Sequence, residues 1–131
     1  MKLYVLNDIR TNNFQDENMV QKIQTLWTEA SRKLENWQGI VYGVYSDYES
    51  DYTGDYSLRV AVEEPIAEDS LVIPAESYTV FQVDTSDEQG MIKAWSKVWE
   101  LERNGSLQRA YSYDFEKYYP NGDVEIHIAI K

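Results

Sequence analysis

The run Tyr111-Ser112-Tyr113-Asp114-Phe115-Glu116-Lys117-Tyr118 sets two carboxylates among four aromatic rings. A turn signal, Pro120-Asn121-Gly122-Asp123, follows it, and Val124-Glu125-Ile126-His127-Ile128-Ala129-Ile130 comes next. A two-residue Asn-Gly turn would pair the two runs as a hairpin, with Tyr118 opposite Glu125 and Glu116 opposite His127. Side chains alternate across a sheet. Asp114, Glu116, Tyr118, Glu125 and His127 are then expected on one face, and Phe115, Val124, Ile126, Ile128 and Ile130 on the other. Carboxylates set among ring faces attract a cation through charge and through the ring quadrupole. Paired carboxylates also perform general acid–base chemistry when a dry pocket raises one pKa. The bland alternative is a solvated sheet face, and a register slip of one residue would flip every assignment.

Other rings fall at suggestive spacings. Trp95 and Trp99 are one helical turn apart, and Tyr45, Tyr48, Tyr52 and Tyr56 line the other hairpin. Tyr42 and Tyr45 are expected inward and Tyr48 exposed. Trp27 and Trp37 read as core packing. No G-x-S-x-G, P-loop, G-x-G-x-x-G or H-E-x-x-H motif is present. No cofactor is therefore expected. Cysteine is absent, which excludes disulfides, thiolate catalysis and zinc-thiolate sites within the chain. The single His127 excludes a His-pair metal site. Acids spaced along strands form no compact calcium loop, so no metal is expected.

Composition narrows the partners. Twelve basic against 23 acidic residues give a net charge of −11. Such a surface repels phosphate backbones and anionic membranes, so no direct nucleic acid and no membrane is expected as partner. With 11 Tyr and 4 Trp the chain is rich in rings that bury a flat face while keeping a polar tip. Acidic and ring-rich together is a composition suited to cationic aromatic ligands. The start, Met1 to Asp8, is too short an apolar run for a signal peptide, and a cytoplasmic protein is expected.

At 131 residues the chain has the size of one domain. Ile23, Leu26, Trp27, Ala30, Leu34 and Trp37 form a helical stripe, with Asn13 and Asp16 as an N-terminal signal and Gly39 beyond the end. Met91, Ile92, Trp95, Val98 and Trp99 form a second, with Ser86 and Gln89 as a capping box and Asn104-Gly105 at the end. Strands are expected at Leu3–Ile9, Ile40–Tyr45, Tyr56–Val62, Tyr78–Val83, Tyr113–Tyr118 and Val124–Ile130, with 64–74 a looser connection. Each half therefore reads strand, helix, strand, strand. Asp47-Tyr48-Glu49 matches Asp114-Phe115-Glu116, and Gly54-Asp55 matches Gly122-Asp123. The expectation is an α+β fold built from a duplicated βαββ unit, repeat 1 about 1–63 and repeat 2 about 71–131. Two helices would pack on one antiparallel sheet, and a ligand cleft would lie between them on the pseudo-twofold axis.

Tyr42-Gly43-Val44-Tyr45, Ser46 to Tyr52, Ile73-Pro74-Ala75, Tyr111 to Tyr118 and Val124 to Lys131, taken in order, resemble the GyrI-like effector-binding domains, and among them the integron cassette-encoded effector-binding proteins. The resemblance covers nearly the whole chain. Members serve as ligand-sensing domains of AraC- and MerR-type transcription regulators, as multidrug-binding domains and as stand-alone proteins. The resemblance implies an aromatic central cleft whose buried acid pairs with lipophilic cations. That role falls on Glu116, with Phe115 and Tyr118 as neighbours. Glu76 stands where the family commonly has Gly after Ile-Pro-Ala. The candidate ligand-binding set is Glu116, Tyr45, Trp95, Trp99, Tyr113, Phe115, Tyr118 and Glu125. The expected ligand is a hydrophobic cationic small molecule, and any regulatory role would need a DNA-binding partner protein. The alternatives are a small hydrolase with Glu116 or Glu125 as base, and a protein-interaction module; oligomeric state stays open.

Overall fold

The computed structural model describes residues 1–131. Nine elements follow one another: β1 (Lys2–Thr11), α1 (Met19–Lys33), β2 (Val41–Ser46), β3 (Tyr56–Val62), β4 (Ser70–Val72), β5 (Tyr78–Gln82), α2 (Gly90–Arg103), β6 (Asp114–Tyr118) and β7 (Val124–Ala129). The strands form a single sheet in the order β4-β1-β3-β2-β6-β7-β5, and every pairing is antiparallel. Outward from the central β2–β6 pair the order is β2-β3-β1 one way and β6-β7-β5 the other. This is the duplicated βαββ arrangement, with β4 added at one edge. No helix is long and apolar enough to cross a membrane.

The helical stripes seat the helices on one face. Leu26 and Ala30 of α1 pack on Leu6, Tyr56, Leu58 and Val60. Trp95 and Val98 of α2 pack on Leu107, Ile126 and Ile128. Each fully buried aliphatic side chain of this kind contributes about 1.5–3 kcal/mol. The opposite face buries Leu3, Tyr42, Val44, Ala61, Ile73 and Phe115. The chain crosses from edge to edge between β4 and β5. From Val72 to Tyr78 it can reach at most about 22 Å, whereas six strand spacings of a flat sheet span about 29 Å. The sheet must therefore curl. Its back closes on the crossing segment, where Ile73 is buried.

Both helices begin later than the cap signals suggest. Asp16 does not start α1. Its carboxylate accepts from the Asn18 N–H and the Thr11 hydroxyl and pairs with Lys22, which holds it well down, to about 2. Ser86 is likewise drawn to the Asp84 carboxylate, so α2 starts at Gly90. α1 ends at Lys33, leaving Trp37 beyond it, where Asn36 adopts a left-handed φ of 66°. The segment read as a loose connection contains β4, which three residues could not announce.

The last hairpin corrects the expected register. Gly122 donates its N–H to the Tyr119 carbonyl and Tyr119 donates to Asp123, while Gly122 has φ 96°. This is a three-residue turn over Pro120-Asn121-Gly122, in which Pro120 sets the first corner and Gly122 supplies the left-handed residue. One extra residue moves the pairing to Tyr118↔Val124, Lys117↔Glu125, Glu116↔Ile126 and Phe115↔His127. Glu125 and His127 therefore sit on the opposite face from Glu116. The internal match of Asp47-Tyr48-Glu49 to Asp114-Phe115-Glu116 is also displaced. The former lies in the loop after β2, whereas the latter opens β6.

Candidate ligand-binding site

The two helices stand over opposite flanks of the sheet, and the central β2–β6 pair floors the groove between them. On this face β6 presents Asp114, Glu116 and Tyr118, and β2 sets Tyr45, Gly43 and Val41 directly opposite. Glu116 thus lies between Gly43 and the fully buried Ile126, and only 4% of it is exposed. Glycine at 43 leaves room for this carboxylate. A Cβ there would come within 3.2 Å of both Glu116 Oε1 and Trp27 Cζ2. Gly43→Ala is expected to displace the carboxylate and cost about 1–3 kcal/mol of stability, measurable as a lowered midpoint in chemical denaturation.

Three neutral groups hold the Glu116 carboxylate. Tyr118 donates its hydroxyl to Oε1 at 2.6 Å, and Tyr45 and the Trp95 indole N–H donate to Oε2 at 2.7 and 2.8 Å. The ion pairs of the protein all lie elsewhere. Burial raises the Glu116 carboxyl above its ordinary range, and the three hydrogen bonds only partly counter it. The tyrosines respond in kind: burial and the neighbouring carboxylate push Tyr45 and Tyr118 upward, so both remain donors.

Above this floor opens a cavity of about 540 Å3, lined by 18 residues of which 13 are hydrophobic. That volume is in the range of small-molecule sites. Rings form its walls in pairs. Tyr45 meets Trp95 edge-on at 5.0 Å, and Trp27 meets Tyr118 at 5.1 Å. Tyr52 stacks on Trp99 at 5.7 Å, and Phe14 from the loop before α1 leans on both. Phe14 remains 58% exposed, so this trio borders solvent.

Of the expected residues, Glu116, Tyr45, Trp95, Trp99 and Tyr118 line this cavity. Glu125, Phe115 and Tyr113 do not. Phe115 stacks on His127 at 4.6 Å and packs, with Tyr113 beside it, into the core behind the sheet. Glu125 accepts from Tyr119 and Gln82 and contacts His127, and these partners hold it down at about 2. Glu76 accepts from the Ser112 hydroxyl near the surface. Tyr42 is inward as expected but on the far face, since it is offset from Tyr45 by an odd number of positions along β2.

Among the cavity residues that escaped the sequence reading, Trp27, Tyr48 and Arg109 matter most. Trp27 lies on the core stripe yet also reaches the cavity. Tyr48 is not exposed decoration; its hydroxyl donates to the fully buried Asp114. Arg109 pairs with Asp114 at 2.7 Å and also borders the cavity. Tyr48 had a signal, a third ring three residues after Tyr45 at the mouth of an aromatic hairpin. Arg109, in an isolated β-bridge to Ile130 with no pattern around it, had none.

A comparison with solved structures finds the integron cassette protein VCH_CASS2, from the mobile metagenome of Vibrio cholerae, at TM-score 0.78 and 29% identity. That match covers 100% of this chain and 90% of the other. It also finds SAV2435, solved with tetraphenylphosphonium bound, at TM-score 0.70 and 17% identity, covering 99% of this chain and 87% of that one. The second likeness speaks to the fold alone. A comparison with curated proteins finds no match. The family model of the integron-associated effector binding protein, Cass2, matches residues 7–130. The chain therefore belongs to the family of integron-associated effector binding proteins.

Proposed function

We propose that the protein is a receptor for lipophilic cations, which bind in the aromatic cavity with their charge beside Glu116. The observation that carries this reading is the Glu116 carboxylate itself, buried among rings with neutral donors only. A buried charge without a counter-charge is costly. An apolar cation supplies that charge. It also buries its own hydrocarbon surface, at about 25 cal/mol per Å2, and meets the faces of Trp27, Trp95 and Tyr45. The net charge of −11 raises the local concentration of cations before they bind. The tetraphenylphosphonium bound by SAV2435 is a ligand of this class.

The working ligand-binding set is Glu116, Tyr45, Tyr118, Trp95, Trp99 and Trp27. Carboxylate and flat rings select for charge and planarity more than for outline, so several drugs or dyes should fit. A part in transcription regulation would run through a DNA-binding partner, since the acidic surface disfavours contact with DNA. The test is quenching of tryptophan fluorescence by tetraphenylphosphonium at neutral pH. Saturable quenching with micromolar or tighter affinity supports the reading. Absence of saturable quenching by this ion and by cationic dyes would remove it.

A further inference from the structure

The net charge of −11 attracts every cation, protonated amines included. Selection among cations must therefore happen inside the cavity, where the supply of hydrogen-bond acceptors decides it. A carboxylate offers about four lone-pair positions, and the protein itself fills three of those on Glu116. Oε2 accepts from the Tyr45 hydroxyl and the Trp95 indole N–H, and Oε1 accepts from the Tyr118 hydroxyl. The remaining flank of Oε1 abuts Gly43, where even a Cβ would sit 3.2 Å from the oxygen. Glu116 is also 4% exposed. Its charge acts on the cavity, while its lone pairs are turned to the protein.

The other polar groups of the cavity do not make up the shortfall. The Tyr48 and Tyr56 hydroxyls are engaged with Asp114 and with the Asn13 side-chain oxygen. Glu88 and Gln89 stand exposed on the turn before α2. The ring faces of Trp27, Trp95 and Trp99 attract positive charge but offer no lone pair. Beside the carboxylate only the oxygens of Tyr45 and Tyr118 remain, two hydroxyls against the three N–H groups of a primary ammonium. An amine leaving water for this place keeps N–H groups without partners, which is costly. A quaternary ammonium or phosphonium ion has no N–H and leaves no hydrogen bond unmade.

We propose that the cavity selects cations without N–H donors, quaternary ammonium and phosphonium ions, and rejects protonated amines of the same skeleton. This inference rests on the cation-receptor reading and narrows the ligand class of the same site. Three compounds of one skeleton test it at neutral pH: the 3,3-diphenylpropyl trimethylammonium ion, the dimethylamine and the primary amine. All are cationic, and they carry no, one and three N–H groups.

Titration by tryptophan quenching is expected to rank them in that order, with the quaternary ion at least about thirtyfold tighter than the primary amine. Added methyl groups also bury apolar surface, and two variants separate that cause from the missing acceptors. Tyr118→Phe releases Oε1, and Tyr45→Phe releases Oε2, for an incoming N–H. In each variant the ratio of affinities should shrink at least about threefold, because only the amine can use the freed lone pair. Methyl burial alone predicts the same ratio in the parent and in both variants. An undiminished ratio in both variants, or a primary amine bound as tightly as the quaternary ion by the parent, would overturn this proposal and leave the cation receptor standing. A quaternary ion that fails to bind where tetraphenylphosphonium does would overturn it too. No binding by any of the three or by tetraphenylphosphonium would overturn the cation reading and this inference with it.

Discussion

Glu116→Gln is expected to weaken tetraphenylphosphonium binding at neutral pH by about 30- to 1000-fold, the usual consequence of removing one member of a buried charge pair, about 2–4 kcal/mol. The cavity itself should survive. Glutamine is nearly the same size, and its carbonyl can accept from Tyr45 and Trp95 in place of Oε2. The free variant should also differ from the parent in its response to pH. Burial raises the Glu116 carboxyl in the folded protein above its ordinary value of 4.5. The folded state then binds its proton more tightly than the unfolded chain does. The stability from that proton is fully present below pH 4.5 and is lost as pH rises through the folded value. Urea midpoints measured across this window should fall with rising pH in the parent and lack this component in Glu116→Gln. A variant that binds the cation as tightly as the parent would show that the carboxylate contributes no attraction.

The largest loss of stability is expected at Asp114. This carboxylate is fully buried and satisfies three groups. Arg109 and Tyr48 donate to Oδ2, and the Ala129 backbone N–H donates to Oδ1 at 2.8 Å. It therefore ties β6 to the end of β7, to Arg109 in the connection between α2 and β6, and to the loop after β2. Asp114→Asn leaves the Arg109 guanidinium charged and buried with only the more distant Glu102 carboxylate, 3.6 Å away, as counter-ion. Breaking a buried pair on one side costs about 3–5 kcal/mol, or roughly 10–20 °C in thermal midpoint for a domain of this size. Replacing both partners by R109M/D114N should cost less than Asp114→Asn alone, because the fully buried guanidinium goes together with its partner. Calorimetric scans of the two variants decide it. A double variant less stable than Asp114→Asn would mean that the guanidinium contributes more through packing on Tyr111 than through its charge.

How much of this was legible beforehand depends on the range of the forces involved. The architecture was readable because stripes such as Leu26-Ala30 and Trp95-Val98, and the alternation through Tyr56–Val62, are local patterns that only one burial scheme satisfies. Glu116 stood out because an acid among rings is costly in any fold that buries it. The neighbours of Glu116 were less legible. Whether His127 or Ile126 lies opposite it depends on a single residue, since Pro120-Asn121-Gly122 and Asn121-Gly122 are both good turns and differ by one in register. Proline at the first corner was the available clue. Tyr48 and Arg109 depend on loops meeting in space, at Asp114, and no periodicity encodes such a meeting. Gly43 is intermediate. Glycine inside a strand signals a close approach, but the identity of the approaching group, the Glu116 carboxylate, emerges only from the pairing of β2 with β6.

The central claim is that the charge of a bound cation is answered by the Glu116 carboxylate. It can be read at that carboxyl carbon, by following its 13C resonance against pH in the free protein and in the protein saturated with tetraphenylphosphonium. The free midpoint should lie above 4.5, as burial requires. Saturation with the cation should move it down by at least one pH unit, because the bound charge favours the ionised form. A midpoint that stays in place when the cavity is full would contradict the pairing and send the search for the cation's counter-charge elsewhere.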